Sequence, residues 1–278
     1  MNRVRQYSPL IWAGGALALF FVLFVILAAA GWPGDPDRCF ESVRSQLTDT
    51  CYCERISDGL VRQPWNTWSN FSFIIVGLLL FLFVSLDRAH PRSENPMVEG
   101  GFYPILYSGV VLFLGPGSMF FHASMTAIGG LIDNVSMYLF VGFISWYNIS
   151  RLYPHFRPPS TFNRYFWTSI AALTIITAAL MNVDYGSTAV FVCVVAAAVV
   201  IQIGIWRSST VQRQLGWSIA FLGVFVLSVV IWALSKTGGA LCEQPRTLPQ
   251  GHVLWHLGCA LGTFLYAFSL RSERTIQA

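Results

Sequence analysis

The sequence predicts an all-α membrane protein, a polytopic transmembrane helix bundle with a seven-helix core and one extra N-terminal hydrophobic helix. Hydrophobic residues make up 55% of the 278 residues and charged residues only 11%, whereas soluble domains carry roughly 25% charged residues. Ten tryptophans are present, and Trp is enriched where helices meet the membrane surface. Eight apolar tracts have about the length, roughly 20 residues, that a helix needs to cross a bilayer.

The eight tracts are predicted to be helices because lipid offers no partner for the open edge of a sheet. The first tract could be an uncleaved anchor or a cleaved signal peptide. Its apolar run is longer than the roughly 7–15 residues of a signal peptide's core, which favours the anchor. The tracts cover residues 10–32, 65–86, 102–122, 128–149, 165–183, 187–206, 215–235 and 252–270.

The predicted organisation has four parts. Residues 1–32 form a membrane anchor or signal, and residues 33–64 form an outer segment that contains cysteines. Residues 65–271 form the seven-helix domain, and residues 272–278 form a cytoplasmic tail.

The distribution of Lys and Arg predicts the orientation in the membrane. With the N-terminus in the cytoplasm, eleven of the seventeen basic residues fall in inner segments, and the outer loop at 182–186 has none. The positive-inside rule therefore places both termini in the cytoplasm. The net charge of +4 follows from this topology and does not indicate a nucleic-acid partner.

Three histidines are predicted to lie at one membrane depth on the outer side. His122 ends the third tract, whereas His252 and His256 open the last one. The latter two are four residues apart, so they lie on one face of a helix. Ionisable groups at membrane depth are costly and mark functional sites. Three protein ligands with an open fourth position for water are typical of a catalytic zinc site, which the pattern predicts here.

Two more polar residues fall near the histidines. Asp133 follows His122 by eleven residues and could orient a ligand or take a proton from bound water. Ser118 precedes His122 by one helical turn and could stabilise a developing oxyanion. Each feature also has a structural explanation: the histidine pair as interface or capping residues, Ser118 as a packing residue, and Asp133 as a residue favoured by the helix dipole. Their coincidence on one side of the membrane favours the metal site.

These motifs together resemble the alkaline ceramidase family, which belongs to a superfamily of seven-helix membrane hydrolases that includes the adiponectin receptors. The resemblance runs from about residue 53 to 270. It implies a zinc ion held by His122, His252 and His256, with Ser118 and Asp133 as catalytic residues. The matching stretches are "PWNTWSNFSF" at 64–73, "SMFFH" at 118–122, Asp133, "LCE" at 241–243 and "HVLWH" at 252–256.

The resemblance implies hydrolysis of the amide bond of a ceramide-like membrane lipid, which releases a sphingoid base and a fatty acid. Two other functions stay open. One is a receptor or lipid-sensing protein on the same scaffold, and the other is a hydrolase of lipid esters, since zinc hydroxide attacks either carbonyl. The presence of Ser118 and Asp133 favours an enzyme over a receptor.

Cysteines in the outer segments form a second pattern. The resemblance implies a disulfide between Cys53 and Cys242, and the predicted topology places both on the outer side. Cys39 with Cys51 is a second candidate bridge.

Calcium is a further cofactor that the resemblance suggests, next to the first core helix. Glu54 matches one family ligand, and Asp58 and Asn66 are weaker candidates. The family carries a second glutamate two residues before the Trp of its WNT motif, where this chain has Gln63. Because calcium takes about six to eight oxygen ligands, we expect zinc as the cofactor and regard calcium as poorly supported.

Overall fold

The computed structural model describes residues 3–36, 50–90, 95–183, 185–242 and 250–276. Nine α-helices lie within these residues, and each predicted apolar tract is helical. The helices are α1 (Arg3–Ala30), α2 (Pro64–Ser69), α3 (Phe71–Ala89), α4 (Phe102–Ser124), α5 (Ala127–Leu152), α6 (Pro159–Leu180), α7 (Gly186–Trp206), α8 (Leu215–Leu234) and α9 (Gly251–Arg271).

Two short antiparallel sheets complete the described secondary structure, together with a 3-10 turn at Pro154–Phe156. β1 (Thr50–Cys51) pairs with β2 (Glu54–Arg55), with Cys51 opposite Glu54. Because the distribution of Lys and Arg predicts that this hairpin lies on the outer side, we call it the outer hairpin. β3 (Val211–Gln212) pairs with β4 (Arg274–Thr275), with Gln212 opposite Arg274.

Seven helical segments among the described residues are long and apolar enough to cross a membrane, with α2 and α3 counted as one segment. α6 is not among the seven. It forms where a helix was predicted, but Asn163 and Arg164 in its first turns lower its mean hydropathy. The predicted all-α polytopic bundle is confirmed, and the chain is a multi-pass membrane protein.

α4 packs between α3 and α5, and the Gly-Pro-Gly stretch at 115–117 allows a close approach. A Cβ added at Gly115 would lie 2.6 Å from Ile74 Cγ1 of α3. One added at Gly117 would lie 2.8 Å from Ser136 Cβ of α5. Carbon atoms in contact lie about 3.5–4.0 Å apart, so a larger residue would push these helices apart. The α4–α5 crossing lies beside Ser118.

A sharp reversal joins α4 to α5. Met125 ends α4 in the left-handed conformation, with φ of 50°. Thr126 then caps α5, because its hydroxyl accepts a hydrogen bond from the Gly129 backbone N–H at 3.3 Å, as is typical of Thr at this position. The reversal needs two residues, so the end of α4 with His122 lies beside the start of α5.

α1 is the extra N-terminal helix, and it packs on α3 and α4. Ala13, Leu17 and Phe24 form its buried face. Trp32, just beyond α1, donates from Nε1 to the Leu60 carbonyl at 2.7 Å, and its ring contacts Phe120 of α4. α1 is therefore packed as part of the bundle, and its retention as an anchor stays a prediction.

A buried ionic network lies at the predicted inner end of the bundle, just beyond the last residue of α9. The Glu273 carboxylate, just after α9, accepts hydrogen bonds from Arg151 Nε at 2.5 Å and from Arg213 Nε and Nη2 at 3.0 and 2.9 Å. The side chains of Glu273 and Arg213 are almost fully buried. Arg213 also donates to Asn148 Oδ1 at 2.9 Å. The segment predicted as a tail therefore begins as a packed part of the bundle.

Replacing Glu273 with Gln should lower the free energy of unfolding by about 3–5 kcal/mol, because two buried guanidinium groups would lose the carboxylate they share. Thermal unfolding of the purified protein in detergent measures the loss. Glu99→Gln is the control, since Glu99 is exposed and exposed charges contribute about 0–1 kcal/mol. Equal unfolding temperatures for Glu273→Gln and the wild type would contradict the prediction.

Candidate metal centre

Two helices bring three histidine side chains together. His122 lies in the last turn of α4, and His252 and His256 lie in the first two turns of α9. One ring nitrogen from each histidine lies within 4.8 Å of the others, and the Nε2 atoms of His122 and His252 are 3.3 Å apart. All three side chains are buried. The three residues that the sequence singled out thus form one cluster, on the same side as the outer hairpin.

Two of the three rings are held by partners at Nδ1. His122 Nδ1 lies 2.7 Å from Gln63 Oε1, and His256 Nδ1 lies 2.7 Å from Ser69 Oγ. A carbonyl oxygen only accepts hydrogen bonds, so His122 carries its proton on Nδ1. Nε2 of His122 is then the nitrogen left to bind a metal ion. A hydrogen bond at the second ring nitrogen is usual for metal-binding histidines, because it sets the ring orientation.

The third histidine has a different environment. His252 Nδ1 is buried and has no hydrogen-bond partner in the described part of the chain. The ring of Tyr52 lies over it, with ring centroids 4.6 Å apart, and also contacts His122 at 5.6 Å. Tyr52 and Cys53 form the turn of the outer hairpin with φ of 48° and 62°, which is uncommon for residues other than glycine. This turn places an aromatic ring against the histidine cluster.

Disulfides hold the outer hairpin in place. Cys53 is bonded to Cys242, as the resemblance implied, which ties the hairpin to the segment before α9. Cys51 is also disulfide-bonded, but its predicted partner Cys39 lies outside the described residues. Glu243 of the LCE motif lies outside them too.

Ser118 and Asp133 lie on the two helices that cross near the cluster. Ser118 is buried in α4, one turn before His122. Asp133 is half-buried in the second turn of α5, and its backbone carbonyl accepts a hydrogen bond from Ser136 Oγ at 2.7 Å. Ser136 is the residue that approaches Gly117, so Ser118 and Asp133 flank the same helix crossing. Their catalytic roles stay predictions.

Two of the three residues considered for calcium, Glu54 and Asp58, have other contacts in the structure, whereas Oδ1 of Asn66 is buried without a hydrogen-bond partner in the described part of the chain. The Glu54 carboxylate accepts hydrogen bonds from the backbone N–H groups of Trp65 and Asn66, both at 2.8 Å. Burial raises the pKa of the Glu54 carboxyl from 4.5 to about 7, although these two hydrogen bonds lower it. Asp58 is exposed, with its Oδ1 3.9 Å from Arg62 Nη1. Glu54 therefore caps the first turn of α2, where backbone N–H groups lack helical partners.

Sequence reasoning gave no role to three residues that contact the cluster: Gln63, Ser69 and Tyr52. Ser69 belongs to the quoted stretch "PWNTWSNFSF", and Gln63 was noted only as a departure from the family. A usable signal did exist, because each metal-binding histidine needs a partner for its second nitrogen. Polar residues at the start of the first core helix were therefore candidates for this hydrogen-bond partner.

Comparison with known proteins covers the same part of the chain. The Ceramidase family model matches residues 49–278, which include the outer hairpin and all three histidines. An alkaline ceramidase of Drosophila melanogaster is 26% identical over 113 residues, or 40% of this chain. The aligned part spans 37% of that relative's length.

Proposed function

The chain belongs to the ceramidase family, and from this premise we propose that it is a zinc-dependent intramembrane hydrolase. Its substrate is a ceramide-like lipid, whose amide bond is cleaved to a sphingoid base and a fatty acid. One observation carries the proposal: within this family match, three buried histidines bring ring nitrogens within 4.8 Å of one another.

The donor set suits zinc. Imidazole nitrogens are common zinc ligands, and three protein ligands leave a fourth position for water in catalytic sites. The hydrogen bonds at Nδ1 of His122 and His256 leave Nε2 of each ring to face the ion. When bound, zinc would polarise a carbonyl group and lower the pKa of water to about 7.

Asp133 and Ser118 supply the remaining chemistry in this proposal. The Asp133 carboxylate takes a proton from the attacking water and later delivers it to the leaving nitrogen. The Ser118 hydroxyl donates a hydrogen bond to the substrate's carbonyl oxygen as negative charge develops there. Both residues lie on helices that pack closely at Gly117, which supports the fixed geometry that such roles need.

Unpartnered polar atoms around the histidines support a hydrated site. Seven buried side-chain nitrogen or oxygen atoms in the described residues lack a hydrogen-bond partner. Five belong to segments that carry or contact the histidines, and buried polar groups of this kind commonly bind ordered water. Water at this depth is what a hydrolase of membrane lipids requires. The five atoms are Oδ1 of Asn66, Oγ1 of Thr67, Oδ1 of Asn70, Oε1 of Gln250 and Nδ1 of His252.

The proposed site opens toward the non-cytoplasmic side, as the distribution of Lys and Arg predicts. A lipid with two long chains would enter sideways from the bilayer. This position suits a substrate whose amide bond lies close to the membrane surface.

Hydrolysis of ceramide by the purified protein tests the proposal. The protein in detergent is incubated with ceramide, and the released fatty acid is quantified by mass spectrometry with and without a zinc chelator. We expect release that the chelator abolishes and that added zinc restores. A protein with one bound zinc per chain and no release would reject the amidase and favour ester hydrolysis or lipid sensing.

A further inference from the structure

Gln63 joins the outer hairpin to the metal centre, and it is fully buried. Its Oε1 accepts the Nδ1 proton of His122 at 2.7 Å. Its Nε2 donates to the backbone carbonyls of Cys51 at 2.6 Å and Glu54 at 3.0 Å. Its backbone N–H donates to the His122 carbonyl at 3.0 Å. One side chain thus uses both ends of its amide, one on the hairpin and one on a predicted zinc ligand.

The amide nitrogen of Gln63 occupies a position between two hairpin carbonyls where a cation could otherwise bind. Two backbone carbonyls converge on it, and convergent carbonyl and carboxylate oxygens are the ligands that calcium prefers. Here N–H donors fill that position. Both oxygens of the nearby Glu54 carboxylate already accept hydrogen bonds from backbone N–H groups of α2. The residues present at the hairpin therefore do not fit a calcium site.

We propose that Gln63 is a positioning residue that orients His122 and replaces a calcium ion in holding the outer hairpin. The part that concerns His122 rests on the proposed zinc site. Two consequences follow: the hairpin and the metal centre work without calcium, and the loss of Gln63 disturbs both. The Cys53–Cys242 disulfide and the bonded Cys51 hold the same hairpin covalently.

Gln63→Glu tests the hairpin. A carboxylate at this position keeps an acceptor for His122 but would place its second oxygen against the carbonyls of Cys51 and Glu54. Oxygen atoms that close repel one another unless a cation lies between them. We expect a lower unfolding temperature than the wild type in calcium-free buffer and recovery in millimolar calcium. The wild type should unfold at the same temperature in both buffers.

Gln63→Ala tests the link to His122. When a metal-binding histidine loses the hydrogen-bond partner of its second ring nitrogen, metal binding commonly weakens about 10–100-fold. We therefore expect less zinc per chain after dialysis against a competing chelator. Added calcium should not restore the zinc content. Substituted cobalt(II) gives a second readout, because its visible absorption reports coordination geometry. Its spectrum should change in Gln63→Ala. It should not change in Tyr107→Phe, which removes a buried hydrogen bond to the Thr263 carbonyl away from the centre.

These measurements use no lipid substrate, so a result against the role of Gln63 can be told apart from a result against the proposed function. Calcium stabilisation of the wild type would overturn the proposal without any variant. So would a Gln63→Glu protein that is as stable as the wild type without calcium, or wild-type zinc affinity and cobalt spectrum in Gln63→Ala. If the wild type binds no zinc, the proposed function and the link to His122 fail together, and the unfolding temperatures still decide the part about the hairpin.

Discussion

His256→Ala should leave the protein folded but without zinc and without hydrolytic activity. The substitution removes one of three clustered ligands and leaves the Ser69 hydroxyl without the ring it holds. Two imidazoles from different helices cannot complete a site that needs three protein ligands. The expected loss in zinc affinity exceeds the ~100-fold that is commonly lost when a residue hydrogen-bonded to a metal ligand is removed. Zinc per chain and fatty-acid release from ceramide are the two measurements.

The control for His256→Ala is another histidine. His155 lies exposed in the 3-10 turn at the predicted inner end, so His155→Ala removes the same side chain away from the cluster. It should keep zinc and activity. Zinc at full occupancy in His256→Ala would reject the assignment of the three histidines as ligands.

Asp133→Asn should keep zinc and lose most turnover. The amide has nearly the shape of the carboxylate but does not accept a proton at neutral pH. Positioned proton transfer contributes about 10²–10⁴-fold to a rate, and we expect a loss of that size. Zinc content and the rate of fatty-acid release, measured on the same preparation, separate loss of the base from loss of the metal.

The control for Asp133→Asn makes the same chemical change elsewhere. Asp87 pairs with Arg271 at the predicted inner end, with 2.5 Å between Oδ2 and Nη1. Asp87→Asn should turn over ceramide at close to the wild-type rate. Normal activity in Asp133→Asn would remove Asp133 as the base, and loss of zinc in that variant would assign it to metal binding.

Much of the fold was predictable because its signals are local. Long apolar tracts require helices in lipid whatever they pack against, so each helix appears close to where the sequence places it. The spacing of His252 and His256 was equally informative, since residues four apart share a helix face in any helix. The link between these two residues and His122 came from predicted topology, which puts the ends of α4 and α9 on one side.

The environment of the cluster was not predictable in the same way. Gln63 contacts His122 across 59 positions of the chain, and Ser69 contacts His256 across 187. No local pattern reports such pairs, because they depend on how α2 packs against α4 and α9. For the same reason Glu54, which family resemblance suggests as a calcium ligand, is a cap of α2 in the structure.

The sequence alone determined that this protein is a helical membrane bundle with three histidines at one depth, because hydropathy and helical spacing act along the chain. Only the tertiary structure decided which nitrogens face one another and which side chains hold them. It also decided that Glu273, in a segment predicted as a tail, is buried between Arg151 and Arg213. Hydrogen bonds and ion pairs have short ranges and strict geometry, so they depend on residues that folding brings together.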